Sequence, residues 1–72
     1  MQKPVSDFIK NLRSDLQMTQ AQFSTKFGLN IFSLRQWEQG RCKPDDAAMT
    51  FLHVIAHSPQ MVEAAILSKR AM

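Results

Sequence analysis

The chain predicts an all-α fold of five short helices joined by tight connections, and three observations carry that reading. Apolar residues recur at helical spacing in separate stretches. Capping and stop residues punctuate those stretches, and no run of β-branched residues alternates with polar ones as a strand would. Val5, Phe8, Ile9, Leu12 and Leu16 make the first stripe, with Pro4 tolerated at a helix start, so helix 1 is expected over residues 4 to about 16.

Thr19 followed three residues later by Gln22 is a capping box, which satisfies two amides that a helix start leaves without partners. Helix 2 therefore begins at Gln20. Phe23, Ser24 and Phe27 fall on one of its faces, and Gly28 sits just past its end, where a left-handed backbone costs glycine nothing. Asn30 is a good N-cap for helix 3, expected over about 31–39, with Leu34 and Trp37 inward, Gly40 at its close and Pro44 shortly beyond. Pro44, Asp45 and Asp46 then mark the start of helix 4, whose stripe is Ala48, Phe51, Leu52 and Ile55. Ser58 and Pro59 are expected to cap and start helix 5, about 59–70.

Helix 5 carries Met61, Val62, Ala64, Ala65, Ile66 and Leu67, more apolar surface than one small core can take from a single helix. We expect a two-fold dimer interface built on Met61, Val62, Ala65 and Ile66, with packing on helix 1 as the alternative. A homodimer would bury that surface between two copies.

The outward side of helix 3 is where function is written. At about 100° per residue, burying Leu34 and Trp37 leaves Phe32, Arg35, Gln36 and Gln39 together on the opposite side, with Ile31 at its edge. Arg and Gln make bidentate contacts to guanine and adenine edges, and an apolar group meets the thymine methyl, so this face suits a major groove.

Residues 19–40, TQAQFSTKFGLNIFSLRQWEQG, resemble the helix-turn-helix of lambda-repressor-like, Cro-type (XRE) regulators, and the likeness extends over roughly residues 5–57. Trp37-Glu38-Gln39-Gly40-Arg41 followed by Pro44 resembles the end of the recognition helix in antitoxin-type members such as the HigA and MqsA families. Ser24 stands where that family usually has Ala, and Phe32 where a polar base reader is common. The resemblance implies a compact five-helix lambda-repressor-like domain, here a single domain over 1–72. It also implies base contacts from Gln20, Phe32, Arg35 and Gln36, and a salt bridge between Arg13 of helix 1 and Glu38. Thr19, Lys26, Ser33, Arg41 and Lys43 are expected at the DNA backbone, since hydroxyls and flexible cations near helix starts and loops position a protein without specifying sequence.

Composition agrees with a binding module. With 72 residues there is room for one domain, and 44% apolar residues suffice for a small helical core but leave little for an enzyme cleft. The formal charge is +3. Residues 1–43 hold seven Lys/Arg against three Asp/Glu, and residues 44–72 two against three, so basicity belongs to the helix-turn-helix half. There is no Gly-rich phosphate loop, no H-E-x-x-H and no nucleophile elbow, so no catalytic residue and no cofactor are expected. His53 and His57 stand four apart on helix 4 and Cys42 is the lone cysteine, but no third ligand at metal spacing accompanies them, so no metal is expected either. No leader or membrane-length apolar run is visible, and a cytoplasmic protein is expected.

The function that emerges is a transcriptional repressor, autoregulatory and homodimeric, with helix 3 in successive major grooves of an inverted-repeat operator in double-stranded DNA. The alternatives are an antitoxin that also neutralises a co-encoded toxin, a phage or mobile-element regulator of the anti-CRISPR-associated kind, and a protein-interaction module that uses Ile31, Phe32 and helix 5.

Overall fold

Helix-ending chemistry sets the architecture. The computed structural model describes residues 3–71, so the first two residues and the last of the expected 1–72 domain lie outside the described part. Five helices follow in order: α1 (Lys3–Asp15), α2 (Gln20–Phe27), α3 (Ile31–Glu38), α4 (Asp46–His57) and α5 (Pro59–Arg70). Among the described residues there is no strand. No helix in that part is long and apolar enough to cross a membrane.

Each boundary has a local cause. α1 ends with Gln17 in the left-handed region at φ 57°, its amide donating to the Ser14 carbonyl while Met18 donates to Arg13, the paired bonds of a Schellman ending. Sequence alone does not flag a glutamine for that conformation, which disfavours residues with a Cβ. The capping box of α2 is present in both directions: Thr19 Oγ1 accepts from the Gln22 amide at 3.1 Å, and the Thr19 amide donates to Gln22 Oε1 at 2.8 Å. Asn30 Oδ1 accepts from the amides of Phe32 and Ser33 to start α3. α3 closes as α1 does, with Gly40 at φ 73° donating to Trp37 and Arg41 to Gln36. Asp45 caps α4 through the Ala48 amide at 2.8 Å. Ser58 departs from expectation. It stands at the junction of α4 and α5 but its side chain makes no capping bond, and Pro59 in the first turn starts α5 without needing that amide satisfied.

The core is built from one face of every helix: Ile9 and Leu12 of α1, Phe23 and Phe27 of α2, Leu34 of α3, Leu52 and Ile55 of α4, and Val62 of α5. Phe23 and Phe27 meet edge to face with centroids 5.0 Å apart, a favoured arrangement of the two ring quadrupoles. Ser24 lies buried between them in sequence, and its hydroxyl donates to the Ala21 carbonyl at 3.0 Å, so the polar group carries its own partner inside the helix. α1 packs on α3, α2 on both α3 and α5, and α4 on α5. The most extensive packing of α5 is thus on α2 and α4 rather than on α1.

Gly28 is where α2, its turn and α5 come together. Its φ is 68°, and a Cβ added there would stand 3.3 Å from Cδ1 of Ile66. Glycine is favoured here by the backbone conformation, and any Cβ would also make the end of the Ile66 side chain give by a few tenths of an ångström. Gly28→Ala is expected to lower stability by about 1–2 kcal/mol from the backbone alone, read as an earlier midpoint in urea unfolding.

Candidate nucleic-acid interface

α3 has two sides with different duties. Leu34 is fully buried, Glu38 is buried on the same side one turn later, and Trp37 packs half-buried against the core. On the other side Phe32 is 69% exposed, Arg35 and Gln39 are exposed, and Gln36 is half-exposed. The outward group expected from periodicity is therefore on one face, and no core contact depends on it. Within it the Arg35 guanidinium lies 5.8 Å from the centroid of the Phe32 ring, a cation–π contact one turn along the helix.

The buried end of α3 is held by charge. Arg13 grips Glu38 in a two-point fork, Nε to Oε2 and Nη2 to Oε1, both at 2.8 Å. The remaining Nη1 donates to the Met18 carbonyl at 3.0 Å, so each guanidinium nitrogen is engaged within the protein, and Arg13 acts as a structural cation. Gln20 completes the set, its Nε2 donating to Glu38 Oε1 at 3.1 Å. One carboxylate thus ties the last turn of α1 and the first residue of α2 to the last residue of α3.

This arrangement changes the reading of Gln20. Assigned to base contact by resemblance, it is half-buried and gives one of its two amide N–H groups to Glu38. Its helical phase agrees, because positions 20, 23, 24 and 27 share the inward stripe of α2. Gln20 positions α3 in this structure through one N–H of its carboxamide, and its second N–H and Oε1 make no bond to Glu38.

The backbone-contact candidates divide in the same way. Arg41 and Lys43 are exposed in the loop between α3 and α4, close in sequence to the outward face of α3. Thr19 is exposed with its oxygen in the capping box, and Ser33 is half-buried in the first turn of α3. Lys26 is not a free cation: its Nζ lies 3.0 Å from Glu63 of α5, an exposed pair of small energetic weight. Lys10 was not singled out in the sequence, yet it is exposed, sits one turn before Arg13, and its charge reaches Glu38. The i, i+3 spacing to Arg13 was the available signal for it.

The apolar surface of α5 is smaller than its composition promised. Val62 is buried in the core, which removes it from the expected dimer contact, and Ile66, partly buried, packs against the core beside Gly28. Met61 remains 72% exposed with Ala65 exposed on the same flank, whereas Leu67, 57% exposed, falls on the opposite flank of the buried stripe. Leu67 instead borders a groove of about 450 Å³ between α2 and α5, lined also by Ala21, Gln22, Thr25, Lys26 and Glu63. Arg70 closes one end by donating to the Thr25 carbonyl.

His53 stacks on Phe8 of α1 with centroids 4.8 Å apart. Among the described residues no three His, Cys, Asp or Glu side chains gather where a metal ion would fit. Cys42 is exposed as a free thiol.

Burial pushes the Glu38 carboxyl up, but the hydrogen bonds from Arg13 and Gln20 and the charges of Arg13 and Lys10 outweigh it and hold its pKa below the ordinary value. The bond to Glu38 likewise raises Arg13. A carboxylate depressed in the folded state adds stability that is present above its unfolded pKa, about 4.3, and is lost as pH falls through the lower folded value. The melting temperature is therefore expected to drop as pH is lowered from about 5, and Glu38→Gln should flatten that part of the profile. Arg13→Ala, which strands a buried carboxylate, is expected to cost about 3 kcal/mol at neutral pH. Glu38→Ala should cost less, because Arg13 keeps access to water. Equal losses in the two variants would contradict this account of the pair.

Comparison with protein-family models, curated proteins and solved structures finds no match to the chain.

Proposed function

We propose that this chain is a sequence-specific DNA-binding repressor that lays α3 in the major groove and acts as a homodimer on an inverted-repeat operator. One observation carries the reading: α3 is anchored by Leu34, Trp37 and the Arg13–Glu38 fork on one side, and presents Phe32, Arg35, Gln36 and Gln39 on a side the fold does not use. A helix with its side chains is about 10–12 Å across, and the major groove of B-DNA is about 12 Å wide. Guanidinium and carboxamide groups on such a helix match the guanine and adenine edges, and the exposed cations Arg41 and Lys43 suit the flanking phosphates. The likeness to Cro-type regulators supports the same reading, and with it the lambda-repressor-like fold.

Repression would follow from occluding a promoter, and control of its own operon is the simplest circuit, since coupled dimerisation and binding respond to protein concentration. A protein partner such as a co-encoded toxin is the second reading, favoured by the exposed Leu67 at the groove between α2 and α5.

Selection from a random duplex library at physiological salt is expected to enrich an inverted repeat; a library that stays unenriched turns the proposal toward the protein partner. On the enriched site Arg35→Ala should lose about 1–3 kcal/mol and relax one position of each half-site. Lys43→Ala should weaken all duplexes alike and lower the salt slope by about 1. For the dimer, sedimentation at rising concentration should show Met61→Glu remaining monomeric where the unmodified chain associates. Identical behaviour of the two would remove α5 from the interface.

A further inference from the structure

The outward face of α3 holds one pair of residues that narrows which base pairs it would read. Phe32 is a large aromatic side chain placed 69% in water on a helix whose core duties are met from the other side. It is also not isolated, because the Arg35 guanidinium sits over its ring at 5.8 Å. Resting on the DNA-reading function proposed above, we infer that Phe32 and Arg35 act together to read a C5-methylated pyrimidine, thymine or 5-methylcytosine, on the base pair next to a guanine.

The chemistry follows from the shapes of the two groups. A guanidinium projects its N–H donors in its own plane. A ring 5.8 Å away attracts the guanidinium and so limits the side chain's wandering, while the in-plane N–H fork can still turn toward a base. That fork matches O6 and N7 of guanine, the acceptor pair on the major-groove edge. The ring itself has no hydrogen-bonding group, so what it can recognise in the groove is apolar. The apolar group a base pair offers there is the methyl at C5 of a pyrimidine, intrinsic to thymine and added to cytosine by methylation.

Spacing fits two neighbouring base pairs. Residues 32 and 35 are three apart, a rise of about 4.5 Å along α3, against about 3.4 Å between successive base pairs. On this geometry, Arg35 hydrogen-bonds the guanine, and Phe32 covers the methyl of the adjacent pyrimidine and excludes water from both contacts. Neither residue belongs to the core and both are exposed, so both can vary with the target at little cost to the fold.

The test uses the duplex enriched by selection and changes single atoms of the DNA. Replacing the thymine beside the conserved guanine with deoxyuridine removes only the methyl, and is expected to weaken binding by about fourfold per half-site, the effect of exposing one buried methyl. Replacing that T·A pair with C·G should weaken binding too, and methylating the new cytosine at C5 should restore a similar factor. A response to thymine alone identifies the intrinsic base as the target, and a response to both extends it to methylated DNA. Phe32→Ala, which lies outside the core and should keep the helical circular dichroism signal, is expected to bind thymine and deoxyuridine duplexes equally. Arg35→Ala is expected to lose the preference for guanine at the neighbouring position. Equal binding of thymine and deoxyuridine duplexes by the unmodified chain, or a methyl effect that survives in Phe32→Ala, would overturn the inference and leave the repressor reading standing. Failure of the selection to enrich any sequence would overturn both.

Discussion

A single buried carboxylate holds the site together. Glu38 sits at the end of α3, where the position would ordinarily favour an apolar side chain, and it is kept ionised by the Arg13 fork and the Gln20 amide. The three bonds come from two other helices, so the orientation of α3 is set by directional contacts as well as by the packing of Leu34 and Trp37. Hydrophobic contact alone lets a short helix roll by tens of degrees at small cost, because apolar burial is non-directional. A two-point guanidinium–carboxylate fork does not, since rotation breaks both bonds and exposes a charge to an apolar surround.

That anchoring leaves the opposite side of α3 without structural duty. An eight-residue helix has little intrinsic stability in water, so it persists here through its caps and its tertiary contacts. Asn30 at one end and the Schellman ending at Gly40 at the other satisfy its terminal amides and carbonyls. Phe32, Arg35, Gln36 and Gln39 can then be chosen for what they meet outside the chain. The proposed function depends on this separation: the residues that fix the helix and the residues that would read DNA are different residues on different faces.

The second joint is apolar and steric. Ile66 of α5 lies against Gly28, so the left-handed turn that redirects the chain into α3 is also the floor on which the C-terminal helix rests. Val62 fills the core on the same side. α5 thereby belongs to the domain as much as any helix before it, and the surface it offers a second copy narrows to the flank carrying Met61 and Ala65. Leu67 faces the groove along α2, a separate surface with its own surroundings.

Much of this was legible before any coordinates. Capping boxes, N-cap residues, glycines past helix ends and 3.6-residue periodicity act through bonds within a few residues, so Thr19, Asn30, Gly28, Gly40 and Asp45 announced the helix boundaries. The two-faced character of α3 followed from the same periodicity. The sequence by itself determined which segments are helical and which residues α3 turns outward. Only the tertiary structure decided that Gln20 is bound to Glu38, that Lys26 is paired with Glu63, that Gln17 takes a left-handed backbone, and that Val62 is buried and Ile66 partly buried inside one copy of the chain. Those outcomes depend on where α1, α2 and α5 lie against one another in space. A charge or an apolar side chain carries no label for the distant residue that will meet it, whereas a cap carries its partner three residues away.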